Sequence, residues 1–160
     1  MAVQVASSII GVNLTQTDAT AQFTPGTTVN LSDGGQAIYV LSSTSAISTF
    51  AAVVIGVDAN VDMITTTNAV SCKRIGFAQT SIATGYYGWV QMGGLPKVNL
   101  AANCDDNVAL FTTSTPGVLD DATVTAGYVA GLTGTVTISN ATAVTCIAAY
   151  PHVCTYGGDH

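Results

Sequence analysis

Of 160 residues only 8% are charged, against about 25% in an ordinary globular domain. All nine acids are aspartate, the only lysines and arginines are Lys73, Arg74 and Lys97, and the formal net charge is −6. Three cations cannot build a phosphate-binding face, so nucleic acid and acidic membrane surfaces are not expected partners. The longest apolar stretch, Phe50–Val57, falls far short of the ~20 residues of a membrane helix.

Residues 1–35 carry few patterned apolar positions, with Phe23 and Pro25 as the strong punctuation. They read either as an extended arm that orders against a neighbouring chain or as an ordinary edge strand and loop. The arm sets the expected division: 1–35 as arm, 36–160 as a β-barrel or sandwich domain. Ala19-Thr20-Ala21 mimics a leader cleavage site. No Lys or Arg precedes it, and Asn13, Thr15, Gln16 and Asp18 interrupt the apolar run, so no leader is expected.

From there on β signals are dense. Thr, Val, Ile, Tyr and Phe predict strands at Gln36–Leu41, Phe50–Asp58, Asp62–Thr66, Lys73–Ala78, Tyr87–Met92 and Pro96–Leu100. Further strands are predicted at Ala109–Thr113, Tyr128–Ala130, Thr135–Ser139 and Val144–Ala149. Turns are expected at Asp33–Gly35, Asp58–Asn60, Gly93-Gly94, Asp105–Asn107, Pro116-Gly117, Gly131–Gly134 and Asn140. Short strands at close spacing, with no amphipathic helix, predict an all-β fold: an antiparallel β-barrel or β-sandwich. Alternation puts Val136 and Ile138 inside. Trp89 and Gln91 share one face and Val90 and Met92 the other, which makes Trp89 interfacial or half-buried.

Chemistry-bearing constellations are thin. Asp58-Ala59-Asn60-Val61-Asp62 starts like a calcium loop, but the loop needs Gly at its sixth position and Glu at its twelfth, where Met63 and Ala69 stand. Asp105-Asp106 and Asp120-Asp121 sit in turns and read as solvent-facing caps. Cys72, Cys104, Cys146 and Cys154, separated by 32, 42 and 8 residues, match no zinc spacing and read as reduced thiols. A Cys146–Cys154 disulfide is the minority alternative, and His152 is read as structural or exposed. No Ser stands in a nucleophile elbow, and two histidines with no glutamate leave few general bases. The chain is therefore read as non-enzymatic, with no catalytic residue, no cofactor and no metal.

Two segments carry a resemblance. One is Arg74–Gln91, with its Ile75-Gly76-Phe77-Ala78 strand and Gly85-Tyr86-Tyr87-Gly88-Trp89-Val90-Gln91 run. The other is Val108–Asp121, with Ala109-Leu110-Phe111-Thr112-Thr113 and Gly117-Val118-Leu119-Asp120-Asp121. Together with Gly34–Val40 they resemble small β-rich decoration, or cement, proteins of tailed-bacteriophage heads. The resemblance spans about residues 33–150. It implies a non-enzymatic virion protein, made in the host cytoplasm, that binds the major capsid protein on the outer capsid surface and stabilises capsomer contacts, often as a homotrimer. The alternative is a tail-fibre or adhesin-type β module that binds a host-surface carbohydrate through Tyr86, Tyr87 and Trp89.

Overall fold

The structure is a computed structural model and describes residues 11–69, 73–123 and 127–154. Among these residues there are thirteen strands and no helix. In chain order they are β1 (Thr17–Asp18), β2 (Thr28–Asn30), β3 (Gln36–Leu41), β4 (Ala52–Ile55), β5 (Val61–Met63) and β6 (Arg74–Ala78). Then follow β7 (Tyr87–Gln91), β8 (Gly93–Gly94), β9 (Lys97–Leu100), β10 (Leu110–Thr112), β11 (Leu119–Asp120), β12 (Tyr128–Gly134) and β13 (Thr142–Cys154). The fold is all-β, as the strand and turn signals predict.

Five strands close into a barrel in the order β9, β11, β10, β12, β13 and back to β9. Four seams are antiparallel; the fifth, β9 to β11, is parallel and is registered by Leu100 opposite Leu119. A ring with an odd number of strands cannot reverse direction at every seam, so a purely antiparallel barrel is excluded here. Period-2 alternation aims Val98, Leu100, Val144, Cys146 and Ala148 inward, where they join Leu110, Leu119, Val129 and Val153 in one core.

β12 and β13 differ most from expectation. Residues 131–134, read as a turn, continue β12, and Thr135–Ser139, read as a strand, is irregular, with Ile138 buried but Val136 nearly half exposed. β13 runs past Ala149 to Cys154. Its burial alternates on even residues up to Ala148 and on odd residues from Pro151. Tyr150, in the left-handed region at φ 49°, is the extra residue that shifts the phase. Opposite it the β12 register shifts between Ala130 and Leu132. Gly131 lies there at φ 78°, and a Cβ on it would stand 2.7 Å from the Ala149 carbonyl oxygen. A glycine that serves a bulge carries the same local signal as one that serves a turn.

Beyond the bulge β13 pairs with β6 through His152 and Arg74, and the sheet continues β6, β7, β3, β2. β4 pairs with β6 on one side and β5 on the other. Both faces of the β3–β7 region are covered. Ile38, Val40 and Val90 pack with Val53, Ile55, Ile47 and Ile82 on one face. Ala37, Tyr39 and Trp89 pack with Val12, Leu14, Val29 and Leu31 on the other.

That second cover comes from the segment expected to be an arm. From residue 11 onward it packs on its own chain, with β1 paired to β7 and β2 to β3; residues 1–10 lie outside the described residues. Trp89 is consequently 3% exposed rather than interfacial. Phe23 meets it edge-on at 5.3 Å between ring centroids, and Tyr39 lies 5.1 Å away.

Candidate functional site

Besides a cleft of about 180 Å3 where Asn13, Gln16, Asp18 and Gln22 surround Phe23 and the edge of Trp89, three places among the described residues gather polar or reactive side chains. The first lies where β3, β7 and β8 meet. Asp33 accepts hydrogen bonds from Gln91 Nε2 (2.8 Å) and the Leu95 amide (2.8 Å) on Oδ2, and from the Gly35 amide (2.9 Å) on Oδ1. Gln91, 1% exposed, also donates to the Gly93 carbonyl at 2.8 Å. The backbones of Gly35 and Gly93 approach so closely that a Cβ on Gly35 would sit 2.0 Å from the Gly93 oxygen. The partners are all internal, so this is a latch that fastens the turn before β3 to the β7–β8 connection. Residue spacing announced Asp33 only as a turn residue.

The second place is the acidic end of the barrel. The turn holding Asp105-Asp106 meets Asp120-Asp121, which the sequence placed in a turn but which form the end of strand β11 and the residue after it, with the Asp105 amide donating to Asp121 Oδ2 at 2.9 Å. Thr137 Oγ1 donates to Asp106 Oδ1 at 2.8 Å. Cys104 Sγ and one oxygen each of Asp120 and Asp121 lie within 4.8 Å of one another. Burial, reinforced by the Asp121 charge, pushes the Cys104 thiol up to about 11. The thiolate is what binds metals, and the same environment disfavours it. Beside this cluster opens a cleft of about 400 Å3 lined by Thr66, Thr112, Thr113, Ser114, Asp120 and Ala122.

The third place is the edge around Arg74. Two smaller clefts, about 160 and 150 Å3, share it: one is lined by Ile55, Gly56, Val57 and Lys73, the other by Gln36, Ile75, Met92, Tyr150 and Pro151. Val57 is fully exposed and Tyr150 is 61% exposed. Nothing in the sequence pattern singled out this edge. Tyr150 reaches it only because the bulge turns it outward.

The other sequence candidates are dispersed. Asp58 caps its own turn, with Oδ2 accepting from Asn60 Nδ2 at 2.6 Å. Cys104, Cys146 and Cys154 are free thiols, and Cys72 lies outside the described residues. Cys146 and Cys154 are eight positions apart on one strand, roughly 25 Å, which no disulfide spans. For the same reason Cys146, His152 and Cys154 do not converge. His152 Nδ1 lies 3.5 Å from the Tyr150 carbonyl. Of the three aromatics considered for sugar binding, Trp89 is buried, Tyr87 stacks on Tyr39 and only Tyr86 is well exposed. Comparison with known proteins finds no matching family model, no matching curated protein and no matching solved structure.

Proposed function

We propose that the chain is a non-enzymatic structural protein of a tailed-phage head, a decoration protein that binds the outer capsid surface as a symmetric assembly, often trimeric in such proteins. The observation that carries this reading is mechanical. Barrel and sheet share β13, and three apolar clusters leave both faces of the β3–β7 region covered. A close-packed β body of this kind resists deformation, which is what bridging capsomers under internal pressure requires. The two resembling segments fall on β6–β7 and β10–β11, in the sheet and the barrel respectively. Weak contacts repeated by capsid symmetry add up to firm attachment.

The test is immuno-electron microscopy of the virions, with antibody raised against the purified chain. Regular labelling of the head surface is the expected outcome; labelling confined to the tail or fibres rejects it. The hydroxyl- and carboxylate-lined cleft at Asp120 favours carbohydrate binding as the second reading. A glycan array that gives a reproducible hit, lost on Asp120→Asn, would select that reading instead.

A further inference from the structure

We propose that the Arg74 edge and the acidic end of the barrel are the two halves of a head-to-tail contact between copies of this chain. The proposal rests on the self-assembly inferred above and is independent of what the assembly binds. Charge is its first support. Lys97 lies over the Phe50 ring at 5.5 Å, which leaves Lys73 and Arg74 side by side as the remaining cations. Among the described residues neither forms an ion pair. Asp62, on β5 with β4 between it and β6, is the nearest acid in sequence, and Asp58, in the turn next to Val57, has its carboxylate engaged by Asn60. Four of the nine acids, Asp105, Asp106, Asp120 and Asp121, gather where the turn after β9 meets the end of β11, and none of them forms an ion pair among the described residues. Leu100, five positions before Asp105, pairs with Thr142 at the start of β13, whereas Arg74 pairs with His152 near its end. Two chains of net charge −6 repel at long range, so they associate most readily where the scarce cations of one meet the surplus acids of the next.

The edge also has the texture of a contact. Val57 and Tyr150 flank Arg74 on either side, and each walls one of its two clefts. Tyr150 holds a left-handed backbone immediately before Pro151, a conformation that costs energy in a non-glycine residue and keeps a large ring in solvent. Burying that ring against a neighbour repays the strain. Unlike surfaces in contact make the interface heterologous, and such a contact closes into a ring when the rotation between copies permits.

Sedimentation of the purified full chain over a concentration series is the test. Wild type is expected to self-associate. Arg74→Asp and Asp105→Arg, both at exposed positions, should each raise the dissociation constant about tenfold or more. The double variant, which restores opposite charges across the contact, should recover to near wild type. Unchanged circular dichroism and urea midpoint establish that each variant folds; should either fail, Arg74→Gln and Asp105→Asn replace them, with loss of association expected from each. A wild type that stays monomeric to about 1 mM, single variants that associate normally, or a double variant no better than the singles each overturns the contact. Capsid binding is measured separately. An assembled chain that binds no capsid rejects the decoration reading and leaves this contact standing.

Discussion

The Gln91 side-chain amide donates to Asp33 Oδ2 at 2.8 Å, joining residues 58 positions apart in the chain. The same carboxylate oxygen takes the Leu95 amide, and Gly35 takes the other oxygen. Removing the carboxylate strands a buried amide and two backbone donors. Asp33→Ala should therefore cost about 2–3 kcal/mol, and Asp33→Asn about half of that, since it keeps one acceptor. Urea unfolding followed by tryptophan fluorescence measures both. A loss under about 0.5 kcal/mol for Asp33→Ala would reduce the latch to a surface turn.

Gly35 and Gly34 offer a matched pair. A Cβ on Gly35 collides with the Gly93 backbone at 2.0 Å, and neither backbone can yield without displacing the turn before β3 or β8. Gly34 has φ 81° but open space around it. Gly35→Ala should cost more than about 3 kcal/mol or leave the chain insoluble, and Gly34→Ala about 1 kcal/mol. Equal midpoints for the two variants in the same urea series would contradict the close approach.

Trp89 is the single tryptophan and is sealed by Phe23, Tyr39 and the segment around Val12 and Leu14. Its emission should be blue-shifted and shielded from iodide. Phe23→Ala opens the seal, with a red shift, faster quenching and a loss of about 2–3 kcal/mol. Strong iodide quenching in the wild type would mean that the N-terminal cover does not stay closed in solution.

Stability should fall on the alkaline side. Burial pushes Cys104 up to about 11 and Cys146 up to about 12, from 9.0 for a free thiol. The folded state therefore retains protons that the unfolded chain releases. The stabilisation is complete below pH 9, declines from there as pH rises, and is lost through the folded values. Between pH 9 and 11 each thiol contributes a slope on the order of 1 kcal/mol per pH unit. Tyr39, raised chiefly by burial, adds to the decline above pH 10. Urea midpoints from pH 8 to 10.5 in reducing buffer check this, and Cys146→Ala should flatten the curve relative to wild type.

Where local pattern decides the outcome, the sequence was legible. Gln36–Leu41 matches β3 in full, and β6, β7 and β9 fall within a residue or two of their predicted bounds. Errors cluster where one residue breaks a period. Gly131 and Tyr150 sit at facing bulges, so β12 and β13 each outrun the prediction, and the alternation of Val136 and Ile138 mimics a strand in a loop. The cover over Trp89 was illegible for another reason. Val12, Leu14 and Leu31 are too sparse to form a pattern, and their burial depends on a sheet made later in the chain. Both the Asp33 latch and the Arg74 edge depend on non-local pairing, which spacing along one strand cannot announce.

The pairing of Thr17 with Gly88 and Asp18 with Tyr87 sets an order of events during synthesis. Residues 11–31 are made before β3 and β7, yet their docking surface exists only once β7 has emerged and paired with β3. Until then Val12, Leu14 and Phe23 are exposed to solvent with nothing of their own to bury against. The nascent chain thus passes through a stage in which this segment is made but unprotected, and any pause before β7 has emerged would prolong that stage.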